Sequence, residues 1–155
     1  MRRKDREITD IQDIISILKK SKSVSLAFFD EEYPYIVPMN FGFSFENEKL
    51  TLYFHCANSG KKLELLKKNN KVCFEADCSL SLVTGEEACT YTMEFESVVG
   101  FGEAVIITEN KLEALTLIMK QYSSAESFSF NEKAVDFVTV FKVEVDSVTG
   151  KRLKK

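Results

Sequence analysis

Residues 50–68 read LTLYFHCANSGKKLELLKK, and the change of period inside this stretch decides the kind of fold the chain can build. Leu50 to Cys56 is a short run of alternating β-formers, the pattern of a strand. Small residues follow, and the segment from about Gly60 to Lys68 takes up helical spacing. Upstream, ENEK (46–49) reads as a turn and YIVPMNFGFSF (35–45) as a strand. Pro38 sits inside that strand, and since proline cannot donate to a ladder, the strand belongs at an edge or a bulge. Across DEEYP it forms a hairpin with SVSLAFFD (23–30). Residues 9–20 predict an amphipathic helix, with Ile11, Ile14, Ile15 and Leu18 on one side and Thr9 with Gln12 as a capping box. Downstream, KVCFEAD (71–77) is a fourth strand, and a polar connection surrounds VTGEEA. CTYTMEFESVVGFGEAVII (89–107) is too long for one straight strand, so Gly100 and Gly102 mark a bulge or a sharp bend. A helix over 110–122 places Leu112, Leu115, Ile118 or Met119, and Tyr122 on one side, with Asn110 and Glu113 as start signals. VTVFKVEV (138–145) closes the sheet. Five or six meandering strands with two or three helices predict an α+β fold, an antiparallel barrel with flanking helices.

Composition bounds the function. A chain of 155 residues suits one domain over 1–155 with its own core, and 13 Phe without Trp point to an aromatic-rich interior. The net charge of -3 gives no global reason to bind nucleic acid, so any anion site must be local. Cys56, Cys73, Cys78 and Cys89 form no CxxC pair and have no histidine nearby except His55, which argues against a zinc ribbon and for reduced, mostly buried thiols. The basic opening MRRKDRE is followed by ITDIQDIISILKK, which Asp10, Gln12 and Asp13 break, so no secretory core forms. With no membrane-spanning run either, a cytoplasmic protein is expected.

The junction after His55 carries the chemistry. A strand handing over to a helix presents free backbone N–H groups at the helix start, where the dipole favours negative charge. Lys61 and Lys62 add cations in the same turn, although the dipole disfavours them there by a few tenths of a kcal/mol, on the order of 0.5 each. A bound anion reverses that sign, and a phosphate monoester matches lysine charges combined with backbone donors. The same spacing also describes a solvated basic helix with Leu63 and Leu66 turned to the core. The GxxxxGK[ST] spacing of a nucleotide-binding loop is missing.

Five blocks in order, MRRKDREI, YPYIVPMNFGF, LYFHCANSGKKLELL, KVCFEAD and ESVVGFGEA, resemble the pyridoxamine 5′-phosphate oxidase-like FMN-binding family, and within it the nitroimidazole-resistance branch. The likeness runs from Met1 to about Val145. It implies a split β-barrel that forms a homodimer with one FMN at each of two equivalent interface sites. It also implies that His55, Ala57, Gly60, Lys61 and Lys62 surround the FMN phosphate and ribityl chain. Val37, Pro38, Met39 and Asn40 would lie along the flavin ring, with Ser97 and Val98 near the cofactor from the other subunit. Phe54, with Met39 and Phe41, is expected either to wall the ring or to pack the core.

Departures from the family pattern matter too. Pyridoxamine-phosphate oxidases add arginines and a second histidine for the substrate phosphate, whereas this chain has one histidine and arginines only near its two ends. Vitamin B6 chemistry is therefore not expected. Phe95 and Glu96 stand where many relatives in the branch carry Tyr and Arg, and a Glu96 facing the cleft would change substrate choice. Within the branch the resemblance implies reduction of a nitro group on a small heteroaromatic. His55 is the candidate proton donor, because imidazole titrates near neutral pH. Two other classes fit the same sequence: a flavin-binding sensor or carrier without turnover, and an apo or haem-binding split barrel acting as an interaction module.

Overall fold

The alternation read in residues 50–56 governs a longer strand, Lys49–Ala57, in a computed structural model that describes residues 2–154. Met1, the first residue of the opening block, lies outside the described residues, as does Lys155. Leu50, Leu52, Phe54 and Cys56 are buried on one face, while Thr51, Tyr53, His55 and Ala57 lie on the other. The strands in chain order are β1 (Glu7–Ile8), β2 (Val24–Phe28), β3 (Tyr35–Met39), β4 (Gly42–Glu46), β5 (Lys49–Ala57), β6 (Lys71–Val83), β7 (Thr92–Ile107) and β8 (Val138–Leu153). The helices are α1 (Ile11–Lys20), α2 (Lys61–Lys68), α3 (Lys111–Tyr122) and α4 (Glu132–Asp136).

All strand pairings are antiparallel, in the order β3-β2-β6-β7-β8-β5-β4, with β1 on the far end of β8. The run 35–45, expected as one strand, is two, and they occupy opposite ends of this path. Only Asn40 and Phe41 separate β3 from β4. Three peptide steps span at most about 11 Å, so the two edges must come close together. The sheet therefore curls into a barrel that stays unpaired at one seam. Pro38 lies on the edge strand β3, which has a ladder on one side only.

Helix α3 lies along that seam. The Phe41 N–H donates to the Tyr122 hydroxyl at 3.0 Å, which donates onward to the Lys22 carbonyl at 3.0 Å. Gln121 Nε2 donates to the carbonyls of Leu18 and Ser21 at 2.9 and 3.0 Å. Gly42 makes this approach possible, since a Cβ there would sit 2.4–2.5 Å from the Leu117 and Ile118 backbone. The buried stripe of α3 is Ala114, Leu115 and Ile118, which pack on Val140 outside the barrel. Leu112 and Met119, expected on that stripe, are exposed because α3 rests on its 114–118 face. Asn110 starts the helix with a left-handed backbone, not with its side chain. Helix α1 buries Ile14, Ile15, Ile17 and Leu18, each contributing on the order of 2 kcal/mol as an upper bound. Its cap is Asp10, whose side chain accepts the Gln12 N–H at 2.8 Å, one residue later than the expected Thr9.

Long strands β7 and β8 serve both halves of the barrel. Their register shifts between Phe101 and Gly102, where Asp146 is the extra residue on β8, so the predicted irregularity at the glycines is a bulge in the partner strand. β6 runs six residues past the expected Asp77 to Val83, with a register shift after Cys78, and β8 runs on to Leu153. α4 and β1 were not expected. The cysteines are free, with Cys56 buried, Cys73 and Cys78 half-buried and Cys89 exposed on the connection before β7.

Candidate functional site

Strand β5 ends where Asn58 is fixed from both sides: its Nδ2 donates to the Asp136 carbonyl at 2.8 Å, and its Oδ1 accepts from Thr139 Oγ1 at 2.9 Å. Three residues on, Gly60 caps α2 with φ 130°, a backbone that side chains other than hydrogen rarely allow. A Cβ there would meet nothing within 4 Å, so the loop borders open space. The Gly60 carbonyl accepts the N–H groups of Leu63 and Glu64 at 3.0 and 3.3 Å. The N–H groups of Lys61 and Lys62 belong to the first turn, which has no intrahelical partner for them.

The Lys61 ammonium meets the Asp30 carboxylate at 2.5 Å and stands 5.0 Å above the centre of the Tyr35 ring. The hydrogen bond from Lys61, with a second from the Glu31 N–H, holds the Asp30 carboxyl below its usual range, and the Asp30 bond raises Lys61. Lys62 is half-buried, and its charge opposes the upward push that burial gives the Cys56 thiol. A phosphate monoester fits this donor set. The junction offers N–H groups at a helix start, and one of its two lysines already holds an anionic oxygen.

Alternation sorts the remaining expected residues by face. His55 lies on the outer face of β5 and borders an apolar hollow of about 230 Å³ between α3, α4 and Val138. Ala57 is its neighbour on that face. Phe54 points the other way, fully buried and stacked on Phe141 at 5.2 Å, so its core role is the one realised. Met39 and Val98 are also core residues, and half-buried Val37 packs against the same cluster. Pro38 and Asn40 are exposed. On the outer face of the sheet Pro38 pairs with Ser25, Ser25 with Glu75, and Glu75 with Val99, while Ser97 lies opposite Asp77. Val99 therefore shares the face of Pro38 and Ser97, which Val98 does not. Burial, and then Asp77, raises the Glu75 carboxyl.

Glu96 does not face a cleft. It continues the inward row of Val98 and Gly100 and is 1% exposed. Its carboxylate accepts from Lys20 Nζ at 2.8 Å, Arg152 Nε at 2.5 Å and Ser79 Oγ at 2.9 Å. Burial pushes its pKa up, but these three donors together outweigh burial and hold it at about 2. Sequence reasoning also missed the 123–137 segment, whose Phe130 and Val135 wall the hollow beside His55. The SFSFN run there alternates like a short strand but forms neither strand nor helix, so its period gives no sign of the wall it builds. Among the described residues, no group of three or more His, Cys, Asp or Glu is placed to hold a metal ion. Nor is any of the described helices long and apolar enough to cross a membrane.

The sequence profile of the family described as Pyridoxamine 5'-phosphate oxidase matches residues 10–152. The chain belongs to that family. Among solved structures it is similar to a candidate 5-nitroimidazole antibiotic resistance protein from Bacteroides thetaiotaomicron, at 40% identity over 94% of this chain and 86% of that one, with a TM-score of 0.80. A flavocytochrome from Azotobacter vinelandii aligns at 17% identity over 100% of this chain and 72% of its own, with a TM-score of 0.81. A FAD-binding protein from Mesorhizobium loti aligns at 21% identity over 96% and 98%, with a TM-score of 0.66. At the last two identities the likeness concerns the fold, the antiparallel split β-barrel. No match was found among curated proteins.

Proposed function

We propose that the protein is an FMN-dependent oxidoreductase that reduces nitro groups of small heteroaromatics, working as a homodimer with FMN at the interface. One observation carries the cofactor assignment: the start of α2 combines first-turn N–H groups with a lysine that already holds a carboxylate oxygen. Lys61, Lys62 and the Gly60 turn would bind the phosphate, and the exposed β3 residues Pro38 and Asn40 would border the ring. Bound FMN would supply the electron or hydride transfer. His55 would orient a substrate or deliver a proton at the rim of the apolar hollow, which has room for about one small ring and little water. The kinship with the Bacteroides protein supports the nitro-group reading.

The dimer is supported by the outer sheet face, where Ile36 is 60% exposed and Phe101 54% exposed beside Val99. Ile36 on β3 and Phe101 on β7 lie in one row across that face, through Ala27 and Cys73, and apolar side chains so exposed favour a partner surface. Light scattering of the flavin-loaded protein should give twice the chain mass, and a monomer would overturn this part.

The cofactor test is a titration of flavin fluorescence. Lys61→Ala with Lys62→Ala should weaken FMN binding at least about tenfold, since two charge-assisted contacts to the phosphate would be lost. A double variant that binds FMN like the parent overturns the phosphate assignment. For turnover, NADH or NADPH should bleach the flavin and a nitroaromatic should restore its colour; a flavin that stays oxidised would leave a binder, not an enzyme.

A further inference from the structure

We propose that Asp30 is an internal stand-in for the ligand's phosphate: it pairs with the Lys61 ammonium and must give it up when the anion binds. The inference rests on the phosphate reading above and adds a residue that lies outside the HCANSGKK block. Asp30 comes from the turn between β2 and β3, far from Lys61 in sequence, yet its carboxylate is the group in contact with that ammonium. The turn is held against α2 by further contacts. Glu31 pairs with Lys68 at 3.3 Å, the Tyr35 ring lies under Lys61, and the Glu31 N–H donates to the Asp30 carboxylate at 2.9 Å. Asp30 is thus tied to its own turn through its neighbour's amide, and cannot follow Lys61 freely if the side chain swings toward the Gly60 loop.

The consequence is a competition between two anions for one cation. The carboxylate lowers the affinity of the site for a phosphate in two ways: its pair with Lys61 has to break, and its charge then faces the incoming dianion across a few ångströms. Both effects are modest at a solvent-exposed site, and together they amount to about threefold to tenfold in affinity. Neither acts on a flavin without a phosphate. Asp30 therefore sets how much of the flavin affinity comes from the phosphate.

Asp30→Asn keeps the shape and removes the charge. Titrating the apoprotein by flavin fluorescence quenching, with FMN and with riboflavin as probes, should show FMN bound about threefold to tenfold more tightly in Asp30→Asn than in the parent. Riboflavin affinity should stay the same, and in a Lys61→Ala background, where only the repulsion is left, the Asp30→Asn change should give a smaller gain. FMN affinity that is unchanged or weaker in Asp30→Asn overturns the inference, as does an equal shift for both flavins. If Lys61→Ala weakens FMN while Asp30→Asn does nothing, only the role of Asp30 fails. If Lys61→Ala and Lys62→Ala together leave FMN affinity at the parent value, the phosphate reading falls and takes this inference with it.

Discussion

Replacing Glu96 with Gln keeps the size of a buried side chain and removes the charge that Lys20, Arg152 and Ser79 surround. The carboxyl is held at about 2 against an ordinary value of 4.5. That difference, at about 1.4 kcal/mol per pH unit, corresponds to roughly 3.5 kcal/mol favouring the folded state when Glu96 is ionised. The figure is an upper bound, because Lys20 is 45% exposed and recovers water when the pair breaks. The sign follows from the direction of the shift. A carboxyl with a depressed folded pKa contributes fully above its unfolded pKa and loses that contribution as pH falls through the folded one. Urea unfolding at pH 7 should therefore show Glu96→Gln less stable by about 2–3 kcal/mol, with a melting temperature lower by about 4–12 °C for a chain of this size. Between pH 5 and pH 2 the parent should lose stability toward the variant, so that the gap closes near pH 2. A gap under about 0.5 kcal/mol at pH 7 would refute the network's role. A gap that persists unchanged at pH 2 would show that packing, not charge, explains the loss.

Other predictions concern the seam and the turns. Gly42→Ala should cost about 3 kcal/mol or more in urea unfolding, because the new methyl would meet the α3 backbone at 2.4–2.5 Å and the helix would have to move. Tyr122→Phe removes the hydroxyl that bridges Phe41 and Lys22, and should cost about 1–2 kcal/mol while speeding hydrogen exchange at the Phe41 amide. Glu48→Gly should stabilise by about 0.5–1 kcal/mol, since Asn47 and Glu48 both take positive φ, 51° and 63°, in the two-residue β4–β5 turn. A chemical-denaturation midpoint that falls for Glu48→Gly would contradict that turn assignment.

The sequence by itself determined most of the local elements, the family and the chemical character of the α2 junction. These features depend on neighbours in the chain: the period of 2 in residues 50–56, the Gly60 turn and the adjacent lysines. It also restricted Pro38 to a sheet edge or a bulge, because the missing N–H is a property of the residue alone. Only the tertiary structure decided which face each site residue occupies relative to the core. Adjacent strand residues point to opposite sides, so a motif naming Phe54 with His55, or Ser97 with Val98, necessarily mixes an outer-face residue with an interior one. The break at Asn40 and Phe41, the burial of Glu96 among cations and the pairing of Asp30 with Lys61 were likewise invisible in the sequence. Each depends on partners brought together from distant parts of the chain, which no local pattern encodes.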